Sequence, residues 1–399
     1  MIPNVSERGL STPASPIRKL APFAEEAKAK GIKVYHLNIG QPDIQTPTEF
    51  FSTIKNYSEK VLAYGPSNGL NEFRETLLSY YKRNGFSTLE NRDIMVTTAG
   101  SEAVLFSMMA VASPDEEIIV FEPFYPNYNG FARMAGIRLI PVSTKPETGY
   151  HLPDIKQIES KITSKTRAIL ICSPNNPTGT VYSREEMEQI RDIALKHNLF
   201  VLSDEVYREF VFDGTYTGIL TFPELLQNAI LMDSLSKRYS ACGARIGCIV
   251  SKNEEIMKTV LKFGQARLCP PTLEQIASTA LVKNGDRYFP DMIKEYKKRR
   301  DAIYNFLVEI PGVTCKKPEG AFYLMVTFPV DNIESFSQWL LTDFNIDGET
   351  TMMAPGPGFY GTPGRGKHEA RIAYVLNIQD THKAIQIVKE GLSQYNKGK

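Results

Sequence analysis

Short apolar runs, each closed by polar residues, recur along this chain and alternate with longer segments whose apolar positions repeat at helical spacing. Residues 93–98, 118–121, 168–172, 199–202, 229–232 and 246–250 are runs of the first kind, and they predict buried strands. Helical patterns lie between several of them. One covers 70–83, with Phe73, Leu77, Tyr80 and Tyr81 along its apolar side; a long apolar helix opens after residue 98, and an amphipathic one covers 184–197. Strand followed by helix, repeated across 46–283, predicts an α/β fold with a doubly wound, mostly parallel sheet. The two ends read differently. Residues 11–17 are interrupted by proline and predict an extended arm, 19–30 have helical spacing through Leu20, Phe23, Ala24 and Ala27, and 34–39 predict a short strand. After residue 286 a charged helical pattern (Met292, Tyr296, Arg299, Ile303, Phe306) leads into strands such as 321–327, which predicts a second, smaller domain.

A chain of 399 residues has room for two such domains and a large core. Lys and Arg number 46 against 45 Asp and Glu, so no basic excess points to a nucleic acid or an anionic membrane surface. The 5 cysteines are odd in number, show no C-x-x-C spacing and sit mostly in apolar settings, which suits reduced thiols in the cytoplasm. None of the 5 histidines pairs at ligand spacing, so no metal site is expected. Residues 1–10 lack the apolar core of a signal peptide, and the longest apolar stretch, near 103–112, is far short of a membrane span.

Candidate chemistry gathers where the predicted strands end, which is where ligands of open α/β sheets bind. Asp233-Ser234-Leu235-Ser236-Lys237 follows one strand, and Gly243-Ala244-Arg245 comes shortly after. A partly desolvated lysine there, flanked by hydroxyls and an arginine, suits imine formation with an aldehyde that carries an anionic group. Taken alone, Lys237 reads more readily as a solvated surface lysine, since most lysines are surface charges. Thr98-Ala99-Gly100-Ser101-Glu102 turns into a helix N-terminus, whose N–H groups and dipole suit a phosphate, although ordinary caps use the same residues. Tyr125, in Glu122-Pro123-Phe124-Tyr125-Pro126-Asn127-Tyr128, offers a face for a ring, with core filling as the alternative for Phe124 and Tyr128. Asn175 and Asn176, in a turn punctuated by Pro177 and Gly179, are donors for a phenolate or a carboxylate as well as turn residues. Asp204 leaves an apolar strand and is costly to bury without a cation, a role that a protonated pyridine nitrogen would fill. Arg371, alone in an apolar strand, calls for a carboxylate, either a ligand's or a structural one. Gly40-Gln41-Pro42-Asp43 marks a tight turn or a close approach of backbone to ligand, and Tyr64, at the start of a turn-rich loop, is not explained by packing of the helix at 70–83.

In that order these motifs resemble the class I aminotransferases of pyridoxal-phosphate fold type I, aspartate aminotransferase-like, over nearly the full chain from Gly40 to Arg371. Asn176-Pro177-Thr178-Gly179 and Ser234-Leu235-Ser236-Lys237 with Gly243-Ala244-Arg245 carry the resemblance most specifically. It implies a large domain with a mostly parallel seven-stranded sheet at 46–283, and a smaller α+β domain formed by both chain ends, 1–45 (with the arm) and 284–399. It implies that Lys237 holds pyridoxal 5'-phosphate as an imine and moves the substrate proton, that Asp204 pairs with the ring nitrogen, and that Asn176 and Tyr207 bond the phenolic oxygen. Tyr125 would stack on the ring, where aspartate-preferring relatives often have tryptophan. Gly100, Ser101 and Glu102, with Ser234 and Arg245, would hold the phosphate; Glu102 would serve through its backbone, because a carboxylate repels a phosphate. Tyr64 would reach the phosphate of a partner subunit in a homodimer, while Arg371, Asn176 and Gly40 would hold the substrate carboxylate. The implied reaction passes an amino group from an L-amino acid, aspartate foremost, to 2-oxoglutarate by a ping-pong mechanism. Alternatives are an aromatic- or alanine-type aminotransferase, a lyase or elimination enzyme of the same fold, or a non-catalytic regulator, against which stands the lack of a basic helix-turn-helix region. Amino acid and 2-oxo acid substrates, both small molecules, are the expected partners, and a second carboxylate would need a cation such as Arg18 or Lys19.

Overall fold

A computed structural model describes residues 3–398; positions 1, 2 and 399 of the expected end segments lie outside them. The chain opens with an arm and a helix, Ala21–Ala29, before strand β1, Lys33–His36. The central sheet then takes β2 (Ile94–Thr98), β3 (Glu117–Glu122), β4 (Arg138–Ser143), β5 (Thr166–Cys172), β6 (Phe200–Asp204), β7 (Ala229–Ser234) and β8 (Ile246–Val250). Their order across the seven-stranded sheet is β2-β8-β7-β6-β5-β3-β4. β8 runs antiparallel to both its neighbours, and every other pairing is parallel. Helices cover both faces, so β2, β3, β7 and β8 are buried almost end to end, which is why they read as unbroken apolar runs and not as alternation.

The remaining strands are β9 (Thr314–Cys315), β10 (Tyr323–Thr327), β11 (Glu349–Met352), β12 (Ala354–Pro355) and β13 (Glu369–Ala373). β12-β13-β10-β9 form an antiparallel sheet, while β1 pairs in parallel with β11, so the two chain ends build one layer. The long helices Phe289–Val308 and Ile378–Lys397 belong to this part of the molecule. The backbone of Leu37, just past β1, accepts from the Ala373 N–H at 2.8 Å and donates to Met352 at 2.9 Å, which stitches the arm to both small sheets.

Differences from the sequence expectations have local causes. β4 is not among the predicted runs: it is an edge strand and carries Pro141, which an edge tolerates because the missing N–H faces no neighbour. β7 extends through Asp233 and Ser234, beyond the apolar run, because Asp233 is paired inside the fold with Arg238 at 2.9 Å and with the Tyr81 hydroxyl at 2.7 Å. Of the extended arm expected at 11–17, Ser11 instead ends a short helix, Glu7–Ser11, and Pro16 and Ile17 enter a 3-10 turn, Pro16–Arg18. The predicted strand at 34–39 stops at His36.

Candidate active site

Parallel strands deliver their carboxyl ends to one edge of the sheet, and β2, β3, β5, β6 and β7 all do so here. Because β8 is antiparallel, its amino end lies at that same edge, with Gly247 opposite Ser234. This brings Arg245, which precedes a strand, to residues that follow strands. A cavity of about 540 Å³ opens at this edge, closed from the other side by β10, β13 and the arm.

Gly40, Gly100, Ser101, Tyr125 and Asn176 line the cavity, as do Asp204, Tyr207, Ser234, Lys237, Arg245 and Arg371. Lys237 leaves β7, and its Nζ donates to the Gly40 carbonyl at 2.8 Å, with Cys242 Sγ at 3.8 Å. Gly40 is required as glycine: a Cβ there would fall 1.8 Å from the Tyr323 hydroxyl. Asp204, 6% exposed, accepts from the Tyr128 hydroxyl at 2.6 Å and from the Val206 N–H at 3.4 Å. No cationic side chain among the described residues pairs with it, and burial pushes its carboxyl up from 3.8 to about 6. The Tyr207 hydroxyl lies 2.9 Å from that of Tyr323, and burial holds its phenol well above the usual range. The Tyr125 hydroxyl accepts from Asn127 Nδ2 at 2.7 Å, and its ring meets Tyr128 edge-on at 5.4 Å.

An anion cradle forms where the helix Ala99–Val111 begins. Its N-cap residue, Thr98, makes no side-chain cap, so N–H groups of the first turn, around Gly100 and Ser101, are left for a ligand. Gly247 seats this turn, because a Cβ at Gly247 would fall 2.4 Å from the Ala99 carbonyl carbon. Ser234 Oγ donates to the Ile246 carbonyl and lies 2.7 Å from Ser236 Oγ. Arg245, exposed in the left-handed region at φ 56°, donates to the Cys242 carbonyl and forms no ion pair among the described residues.

Arg371 is 1% exposed, and no carboxylate of a described residue pairs with it. Its Nη1 donates to Asn176 Oδ1 at 3.0 Å and its Nη2 to the Asn38 carbonyl, while its Nε is buried without a hydrogen-bond partner. Desolvation lowers its pKa, as expected of a guanidinium that lacks its anion.

Two expected residues lie elsewhere. Glu102 turns its side chain away from the cavity, accepting from the Thr98 N–H at 2.7 Å and pairing with Arg267 at 3.1 Å. Tyr64 is 81% exposed on a separate depression shared with Val61, Leu62 and Pro270. Tyr128 and Tyr323 were not among the expected residues. Tyr128 is buried, as the core reading expects, yet its hydroxyl makes the shorter of the two hydrogen bonds to Asp204; Tyr323 lies in a run buried on both faces, where alternation carries no signal. Of the two arm cations, Lys19 pairs with Glu334 at 2.9 Å, whereas Arg18 lines the cavity. Among the described residues no group of His, Cys, Asp and Glu could hold a metal, and no helix is long and apolar enough to cross a membrane.

Residues 32–348 match the family described as aminotransferase class I and II. The chain belongs to that family. Its members use pyridoxal phosphate, and the structural likeness extends over the fold type I scaffold. The aspartate aminotransferase of Sulfolobus acidocaldarius is 30% identical over 380 residues, 92% of each chain. An aromatic-amino-acid aminotransferase of Thermococcus litoralis is 29% identical, covering 95% of this chain and 96% of its own. The solved alanine aminotransferase of Pyrococcus furiosus superposes with a TM-score of 0.89 at 32% identity, covering 98% of this chain and all of that one. An aminotransferase is thus established, while these relatives differ in the side chain they are named for. The cofactor suits what the cavity offers: a buried carboxylate without a cation for a ring nitrogen, an uncapped helix start with Ser234 and Arg245 for a phosphate, and an amine at its edge.

Proposed function

We propose that this aminotransferase moves the amino group of L-aspartate to 2-oxoglutarate in two half-reactions, with Lys237 as the cofactor lysine. The observation that supports a carboxylate substrate most directly is Arg371, enclosed, unpaired by any described carboxylate and with Nε unmet, in the cavity that Lys237 also lines. When bound, pyridoxal phosphate supplies the aldehyde and the electron-accepting ring. The protein's own residues do the rest. Arg371 and Asn176 bind and orient the α-carboxylate, Asp204 holds a proton on the ring nitrogen, and Tyr207 and Asn176 bond the phenolic oxygen. Tyr125 covers the ring, and Gly100, Ser101, Ser234 and Arg245 hold the phosphate, with Glu102 acting only through its backbone. Lys237 Nζ takes and returns the proton at the substrate Cα. Arg18, which lines the cavity and forms no ion pair among the described residues, is the cation for a distal carboxylate.

The same reading makes the enzyme a cytoplasmic homodimer whose sites lie at the subunit interface. Its support is the exposed apolar segment Val61, Leu62 and Tyr64, with Tyr64 reaching a partner's phosphate. It also divides the chain at 1–45, 46–283 and 284–399, a division compatible with the three sheets. An aromatic substrate is the second reading, favoured by the apolar walls Ile17, Ile39 and Phe131. Single-turnover absorbance titrations against aspartate, glutamate, alanine and phenylalanine decide between them. Aspartate and glutamate are expected to convert the bound cofactor fastest; a phenylalanine rate equal to that of aspartate would remove the dicarboxylate assignment, and release of ammonia without an added oxo acid would point to elimination.

A further inference from the structure

Tyr323 and Tyr207 bring two hydroxyls to one contact of 2.9 Å, and neither has another hydrogen-bond partner among the described residues. One proton therefore lies between the two oxygens and the other is free to donate. The contact joins the two parts of the fold, since Tyr207 follows β6 and Tyr323 opens β10. Tyr323 also supports Arg371. In the β10–β13 pairing Met325 stands opposite Arg371, so Tyr323, two residues away on the same face, is its diagonal neighbour. The guanidinium carbon sits 4.4 Å from the Tyr323 ring centroid. Beneath the hydroxyl lies Gly40, the residue whose carbonyl accepts from Lys237 Nζ.

We propose that Tyr323 is a positioning residue with two separable parts: its hydroxyl donates to Tyr207 and turns the Tyr207 proton toward the cofactor's phenolic oxygen, while its ring holds Arg371 in place for the substrate carboxylate. The hydroxyl part rests on the cofactor role proposed for Tyr207. A hydroxyl that is itself a hydrogen-bond acceptor becomes a stronger donor. Stronger donation to the phenolic oxygen lowers the pH at which the bound cofactor changes its visible absorbance. The titratable groups that face Tyr323 are Tyr207, Tyr125, Tyr374 and Arg371, and of these only Tyr207 shares its hydrogen bond.

Tyr323→Phe and Tyr323→Leu separate the parts in the cofactor-loaded enzyme. Phenylalanine keeps the ring and loses the hydroxyl. The midpoint of the absorbance change is expected to rise by about 0.3 pH unit, while the dissociation constant of succinate, an unreactive dicarboxylate followed by calorimetry, stays within about twofold. Leucine is expected to give the same rise and to weaken succinate about tenfold. An unmoved midpoint in the phenylalanine variant overturns the hydroxyl part, and parent-like succinate binding by the leucine variant overturns the ring part. A parent midpoint that responds to Tyr323→Phe but not to Tyr207→Phe would instead refute the role given to Tyr207, with the succinate comparison still deciding the ring part.

Discussion

Asp204 sits at the end of β6 with its carboxylate enclosed, two hydrogen bonds to its oxygens and no cation beside it among the described residues. Raising a buried carboxyl from 3.8 to about 6 favours its protonated form, so in the cofactor-free protein its contribution to stability is full below pH 4 and is lost as pH rises through 6. That loss is on the order of 3 kcal/mol. Asp204→Asn removes it: without cofactor the variant should lose less stability than the parent between pH 4 and 7, as thermal denaturation would report. Parallel pH profiles would count against this account. With cofactor the order should reverse, since the asparagine cannot balance a protonated ring nitrogen, and turnover should fall by about 100-fold or more. Lys237 and Asp204 were legible in the sequence because Asp204 ends an apolar strand and Lys237 closely follows one, each with a group that is costly or reactive there. Tyr128 was not, since an aromatic that fills core reads the same whether or not its hydroxyl meets a carboxylate.

At the scale of elements, the sheet edge is legible because every parallel strand ends in a polar motif, and an apolar run of that length has few other uses in an α/β fold. Strand direction was not legible. Nothing in 246–250 distinguishes a parallel from an antiparallel strand, yet the reversal of β8 is what sets Arg245 beside Ser234. Gly247 makes the reversal compatible with the helix Ala99–Val111, whose first turn rests on it. A Cβ at Gly247 would fall 2.4 Å from Ala99 C, 2.7 Å from Asp233 O and 2.7 Å from Gly100 N, all backbone atoms that cannot rotate away. Gly247→Ala should therefore cost about 3 kcal/mol in denaturant unfolding and weaken cofactor affinity more than a substitution in the exposed surface of the same helix. Wild-type affinity in a destabilised variant would separate the cradle from the packing.

Across the whole molecule, the two chain ends meet in one layer and bring Arg371, Tyr323 and Arg18 over a cavity whose floor belongs to the central sheet. The sequence suggested the second layer by a change in composition, but not which of its residues face inward, because 321–326 is buried on both faces. If Tyr64 serves a partner's site, co-expressed Lys237→Ala and Tyr64→Ala chains should form mixed dimers with one intact site each. Activity should then return to about a quarter of the parent's, against almost none for either variant alone; no recovery in verified mixed dimers would assign Tyr64 to its own chain's site, and parent-like activity of Tyr64→Ala alone would place it outside the site.

Arg371, walled in and with one donor unmet, also bears on how this enzyme is handled at the bench. Acetate, citrate or formate in a storage buffer would find in it a ready seat, and at a hundredfold excess over its dissociation constant such an anion adds about 2.7 kcal/mol of apparent stability. Substrate would then enter by exchange, and melting curves or Michaelis constants gathered in different buffer salts would describe different resting complexes.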